Sequence, residues 1–370
     1  MNPSNSIICV MFPHRQRGSA MSRRQFTTLF AGSAGAFLLS ACSGGSDDTV
    51  GGSPSEQESP GSSSGSSSGK GNLALVAFAV PKVGFDKLIP AFNATEAGSG
   101  VFFSQSYGAS GDQSRKVEAG LETDIVLFSL EPDIARLVKA GLIDANWKDG
   151  EFHGVPASSV VTLVVRKGNP KNIKDWDDLT RDDVKIVSPN PLSSGSAKWN
   201  LLAPYLWKSN GGEDSEAGLE LVESIIGNLQ GQPKSGREAS ELFIGGTGDV
   251  LLSYENEALL LENDGEDVEH VNPPTTLLIE NPFAIINKTR SRAAAEAFRA
   301  FLYSDEGQKL WGEAGFRPVK TSVFEEFSGK YPAPEKLYKI DEVGGWDKVN
   351  LELFDPENGT IAKLYDEATQ

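Results

Sequence analysis

Between residues 72 and 256, short apolar runs alternate with windows of helical spacing. NLALVAFAV (72–80), VFFSQSYG (101–108) and TDIVLFSL (123–130) read as strands, and FDKLIPAFN (85–93) and QSRKVEAGLE (113–122) as helices, so the segment is predicted to run β–α–β–α–β. The alternation resumes with VVTLVVRKGN as a strand, DWDDL as a helix, VKIVSPN as a strand, a helix after Ser196, and GDVLLSYEN as a strand. This is the grammar of an α/β fold. The last third offers NPFAIINK, one helix from Arg292 to about Glu313, and a polar tail. No internal repeat is evident, and about 300 residues of globular pattern exceed what a single core usually covers, so two lobes are expected.

Three segments share one local design. In NPLSSGSAKWN (190–200) an apolar run passes through Ser193, Ser194, Gly195 and Ser196 into a helix whose apolar face is Trp199, Leu202, Ala203 and Leu206. The segment SQSYGASGDQSRKVEAG passes likewise through Gly108, Ala109, Ser110 and Gly111, and KSGREASELF through Ser235 and Gly236. Each such turn is ordinarily a helix cap. It also presents free backbone N–H groups and small hydroxyls at the positive end of a helix dipole, which holds an anion without any cationic side chain. Three of them in one α/β chain point to a ligand, because ligands of open sheets collect at the carboxyl ends of strands.

The first residues carry different information. SRRQF (22–26) precedes an interrupted apolar run from Leu29 to Leu39 and then LSAC, ending at Cys42. Paired arginines, a short apolar core and small residues describe an export signal of twin-arginine type over residues 1–41, with translation expected to start at Met21. The apolar core is too short to span a bilayer. The LSAC string resembles a bacterial lipobox, which implies that Cys42 is lipid-modified and anchors the mature protein to the membrane. Residues 43–71 are almost devoid of apolar groups and form a flexible tether with a reach of roughly 30 Å.

Charge and composition narrow the function. The chain carries a net charge of −17, and losing residues 1–41, with four arginines and no acid, takes this to −21. Nucleic acid and anionic lipid are therefore excluded as charge-driven partners, and any anion must be captured by local dipoles. Past Cys42 there is no cysteine, and the only histidines are His153 and His270. No disulfide framework, metal motif or cofactor motif is present, and an enzyme is not expected. The acidic strings around Asp175, Asp177, Asp178, Asp182 and Asp183 lack the loop of an EF-hand and read as an acidic helix start. The string GASG around Ser110 is not a nucleophile elbow.

With these strings in view, the chain resembles the periplasmic sulfate- and thiosulfate-binding components of ABC importers over roughly residues 73–350. The carriers are QSYGASGDQ (105–113), VRKGNPKNIKDWDDL (165–179), NPLSSGSAKWN (190–200), GDVLLSYENEALL (248–260), LYSDEGQ (302–308), FRP (316–318) and IDEVGGW (340–346). The resemblance implies a two-lobed, periplasmic-binding-protein-like fold of type II, with the ligand cleft between the lobes. Lobe 1 is expected to comprise 72–156 plus 277–370, and lobe 2 to comprise 157–276. It further implies a monomer that closes over a dehydrated tetrahedral dianion, held by backbone N–H groups, serine hydroxyls and one aromatic N–H, and passes it to a permease.

Carried over by position, the ligand residues are Ser110, the trio Ser194, Gly195 and Ser196, the backbone of Arg237 and of Ala79, and Tyr254. Ala79 stands where the family has an aspartate, Ser196 where it has glycine, and Tyr254 where it has tryptophan. The tyrosine exchanges an indole N–H for a phenol O–H. Lys198 and Arg237 read equally as structural charges. Phosphate carries a proton at neutral pH and calls for a carboxylate acceptor, whereas sulfate only accepts. The absent aspartate agrees with sulfate, while Asp112 and Glu238 beside two turns leave the choice open. Thiosulfate, molybdate and phosphate are rival ligands, and a surface enzyme acting on sulfated or phosphorylated compounds is the alternative from another class.

Overall fold

A computed structural model describes residues 71–369. The expected export signal, Cys42 and residues 43–70 of the tether lie outside these residues, while Gly71 belongs to the first strand. The strand Gly71–Phe78 runs parallel to Val101–Gly108, in register from Gly71 opposite Val101 to Phe78 opposite Gly108. Its other edge pairs in parallel with Ile125–Leu127, and Phe283–Ile285 completes this first sheet antiparallel to that strand. The helices Lys82–Ala94, Ser110–Glu118 and Glu131–Lys139 connect or follow its strands. Beneath them Phe85, Phe92, Phe103, Phe298, Phe301 and Trp311 form a chain of ring contacts with centroids 4.9–6.3 Å apart. Each such pair contributes about 0.5–1.5 kcal/mol beyond the area it buries.

The second sheet is built on the long strand Ala157–Arg166, which is buried along nearly its whole length. Val250–Tyr254 lies antiparallel to it on one side and Thr275–Asn281 on the other. Beyond Val250–Tyr254 come Ile186–Val187 and Leu229–Gly231, both in parallel pairings. The helices Gly195–Lys208, Ser215–Gly227 and Gly236–Ile244 cover this sheet. The result is the expected two-lobed α/β architecture, with one sheet in each lobe. Among the described residues no helix is long and apolar enough to cross a membrane.

Three local expectations are corrected. The helix expected from Arg292 to about Glu313 is two helices, Arg292–Leu302 and Asp305–Glu313. Ser304 separates them by donating to the Phe301 carbonyl and accepting from the Gly307 N–H at 3.0 Å, the geometry of a serine N-cap. The string DWDDL makes only a short 3₁₀ turn, Trp176–Thr180. Asp175 and Asp178 cap that turn reciprocally, and Asp183 pairs with Lys171 and Arg181, so these carboxylates serve local structure.

The tail is the third correction. Its strand Lys336–Tyr338 pairs with Thr275–Leu277, and its last helix, Thr360–Thr369, packs on Ser215–Gly227. Residues 336–369 thus contribute a strand and a helix to the second sheet and its cover, which a polar tail did not suggest. Trp346, Val349, Leu353, Phe354, Ile361 and Tyr365 are all buried, so apolar burial holds a segment whose polar appearance suggested otherwise.

Candidate functional site

The predicted turns all follow the carboxyl ends of strands. Ala79 comes directly after Gly71–Phe78, Ser110 after Val101–Gly108, Ser194 after Ile186–Val187, and Ser235 after Leu229–Gly231, while Tyr254 is the last residue of its strand. Three of the turns open helices: Ser110–Glu118, Gly195–Lys208 and Gly236–Ile244. The first N–H groups of each helix have no acceptor within it, so each end is a partial positive charge. Ser235 behaves as an ordinary cap, accepting from the Glu238 N–H at 3.2 Å. Ser194 is also an N-cap residue but makes no side-chain cap bond, and Ala109 has no hydroxyl with which to cap. Two helix ends thus retain donors that normal capping would have satisfied.

The lobes meet at these turns. The Gly111 N–H of the first lobe donates to the Ser193 carbonyl of the second at 3.2 Å. A β-carbon on Gly195 would lie 2.6 Å from both Cβ and Oγ of Ser129 in the first lobe. One on Gly236 would lie 3.0 Å from Ser196 Oγ and 3.4 Å from Val80. Glycine is required at Gly195 by this close approach. Ser110, Ser194, Ser196 and Tyr254 are 1–4% exposed. The arrangement is a closed cleft.

Ser129, which the sequence reading did not single out, is the hub. Its Oγ lies 2.7 Å from the Tyr254 phenol, its N–H donates to Ser110 Oγ at 2.9 Å, and its carbonyl accepts from Trp199 Nε1 at 2.9 Å and from Asn281 Nδ2 at 3.3 Å. Tyr254 and Ser129 have two hydroxyl protons between them and one bond joining them, so one proton is left to serve a ligand. Burial raises the phenol's pKa against the neighbouring Ser129, Ser196 and Asn281, so Tyr254 stays protonated and able to donate. The available signal for Ser129 was positional: it too stands just past the carboxyl end of a strand.

Ser110 is placed at the site, but its hydroxyl faces inward. It donates to Asp133 Oδ2 at 2.6 Å while accepting from Ser129. A hydroxyl has one proton, so while Asp133 is ionised the Ser110 side chain has none left to donate elsewhere. Burial raises the Asp133 pKa, opposed first by the Ser110 bond and then by the charges of Lys198, Arg136 and Arg115. Val80 and Gly236, the chain neighbours of Ala79 and Arg237, face each other. The Arg237 guanidinium turns away to Glu257 at 2.8 Å. Lys198 Nζ donates to Asn350 Oδ1 at 2.7 Å, and burial brings its pKa down to about 8. Asp112 is tied to Arg115 at 2.6 Å, and Glu238 accepts from the Lys234 N–H at 3.0 Å. The donors lining the cleft are therefore N–H groups and hydroxyls, without a side-chain cation.

Residues 76–317 match the family described as bacterial extracellular solute-binding protein. The chain belongs to that family. This solute-binding protein is 36% identical over 346 residues to the sulfate-binding protein of Synechococcus elongatus, covering 91% of this chain and 95% of that one. It is 30% identical over 305 residues to the thiosulfate-binding protein of Pseudomonas aeruginosa, covering 79% and 92%. Among solved structures, the sulfate-binding protein SubI from Mycobacterium tuberculosis H37Rv superposes with a TM-score of 0.76 at 53% identity, covering 77% of this chain and 99% of that one. The two-lobed fold is the one these solute-binding relatives share. Among the described residues no group of three or more His, Cys, Asp or Glu side chains is placed to hold a metal.

Proposed function

We propose that this solute-binding protein captures sulfate in the closed cleft and delivers it to the permease of an ABC importer. The observation that carries the reading is the meeting of three helix N-termini around buried hydroxyls, in a cleft from which the Arg237 guanidinium is turned away to Glu257. Such a site suits a fully ionised tetrahedral anion that only accepts hydrogen bonds. The relatives named for sulfate support it, and the thiosulfate-binding relative keeps that anion as the nearest competitor.

In this reading the ligand receives the backbone N–H groups of Ala79, Ser110, Gly195, Ser196 and Arg237, the Ser194 hydroxyl, and one proton of the Tyr254–Ser129 pair. Each charge-assisted bond contributes about 1.5–3 kcal/mol, so half a dozen yield micromolar or tighter binding after desolvation and closure. The protein acts as a monomer, held to the outer face of the membrane through a lipid on Cys42. Ligand favours the closed state by its greater affinity for it.

Calorimetric titration with sulfate, thiosulfate, molybdate and phosphate tests the assignment. One-to-one sulfate binding, with phosphate silent at neutral pH, is the expected result. Silence toward sulfate, or phosphate binding of equal strength, overturns it. Mass spectrometry of the membrane-extracted protein tests the anchor: a mature chain beginning at an unmodified residue other than Cys42 contradicts it.

A further inference from the structure

A cavity of about 540 Å³ is lined by Ser193, Ser194 and Gly195 of the turn, and by Gly111. Four cations line it, Arg115, Arg136, Lys139 and Lys198, against two carboxylates, Glu118 and Asp133. This excess of positive charge sits in a chain whose net charge is −17. Several of the cations are incompletely satisfied. Arg136 Nε is buried without a hydrogen-bond partner, and its guanidinium reaches Glu118 only at 3.7 Å. Lys139 has no ion-pair partner among the described residues, and Lys198 is bonded to the neutral amide of Asn350. Arg115 alone is closely paired, with Asp112.

The position of this cavity gives it a use. Gly111 and Ser193 both line it, and the bond between them joins the lobes. Separation of the two lobes would have to break that bond. The cavity is also too large for a bare tetrahedral anion. A liquid water occupies about 30 Å³, so the space admits an anion with its hydration water. The cleft itself, lined by N–H groups and hydroxyls, requires the anion dry. The overall field of an acidic protein slows an approaching anion, whereas a local concavity of opposite sign concentrates it.

We propose that this cavity is an outer anion station, where a hydrated oxyanion is collected by Arg115, Arg136, Lys139 and Lys198 before it is dehydrated and enclosed between the helix ends. The station sets the rate of capture and leaves the strength of the final grip to the cleft. This rests on the reading of the cleft as a sulfate site.

The test is stopped-flow mixing of the protein with sodium sulfate over a series of NaCl concentrations. Tryptophan fluorescence is the readout, because Trp199 bonds to Ser129 across the closing lobes. The variants are Lys139→Gln, which alters an exposed side chain, and the double variant Arg136→Gln, Lys139→Gln. The double variant is expected to lower the association rate constant about tenfold at low salt and to flatten its salt dependence, with the dissociation rate constant unchanged. The single variant moves the same way by a smaller factor. Unchanged association rates and salt slopes in Lys139→Gln overturn the station even where the double variant fails to fold. A loss appearing in the dissociation rate instead also overturns it, since the cations would then grip the bound anion. Calorimetry on the unaltered protein separates the two ideas: no sulfate binding at all rejects the cleft reading and the station with it.

Discussion

The phenolic oxygen of Tyr254, at the end of a strand of the second lobe, lies 2.7 Å from the hydroxyl of Ser129, at the end of a strand of the first. The contact bridges the two lobes, and either hydroxyl can be its donor. Tyr254→Phe is expected to weaken sulfate binding about tenfold, the loss of one charge-assisted hydrogen bond. Ser129→Ala should cost a similar factor, and the double variant less than the product of the two, because one proton is shared. Calorimetry on the three variants checks this, and fully multiplicative losses would show that the two hydroxyls act separately.

Gly195 has no room for a side chain once the lobes close, its virtual β-carbon falling 2.6 Å from Ser129. Gly195→Ala is expected to reduce affinity by roughly a hundredfold or more through lost closure, with little change in the melting temperature of the ligand-free protein. Small-angle scattering with and without sulfate reads the effect directly: the unaltered protein contracts and the variant does not.

Asp133 offers a pH test. Its folded pKa lies above the ordinary carboxylate value because it is buried, so the folded state holds the proton more tightly than the unfolded chain. Protonation therefore stabilises the fold at acid pH, and that contribution is lost as pH rises through the folded pKa. Asp133→Asn, which mimics the neutral acid and still accepts from Ser110, should melt higher than the unaltered protein at neutral pH. The gain should shrink as pH falls toward roughly 4. A variant that melts lower at neutral pH would mean that the cations around Asp133 need its charge.

Arg317 and Glu255 form a buried ion pair, Nε to Oε2 at 2.7 Å, with 5% and 1% of their side chains exposed. Arg317 also donates to the Pro332 carbonyl, at 3.0 Å. Arg317→Met strands the Glu255 carboxylate and should cost about 3–5 kcal/mol, whereas replacing both residues by apolar ones should recover most of that loss. Urea unfolding of the single and double variants distinguishes stranded charge from lost packing.

The sequence made strands, turns and their order legible because each is written in local chemistry: apolar runs, then glycine and serine, then helical spacing. Ser110, Ser194, Gly195 and Ser196 were reachable on that basis and Tyr254 only through the family resemblance, and these residues do come together. Ser129 was not, since its importance lies in contacts with residues 110, 199, 254 and 281, which no local window contains. The inward turn of the Ser110 hydroxyl was hidden for the same reason, its partner Asp133 lying 23 residues away. The tail escaped because its apolar residues are spread among acids and lysines and find their partners far away in sequence, as Trp346 does on Trp199. Where Ser304 broke the helix from Arg292, a local capping signal was present but yielded to the longer periodicity.

A crystal structure of the protein grown with sulfate is the most direct test of an anion held by dipoles and hydroxyls alone. The expected result is one sulfate in the cleft, its oxygens about 2.7–3.1 Å from the N–H groups of Gly195, Ser196 and Arg237 and from the Ser194 hydroxyl, with no Lys or Arg side chain in contact. A sulfate gripped by Arg136 or Lys198 while the cleft stays empty, or one bound in the cleft by a cationic side chain, would contradict the account.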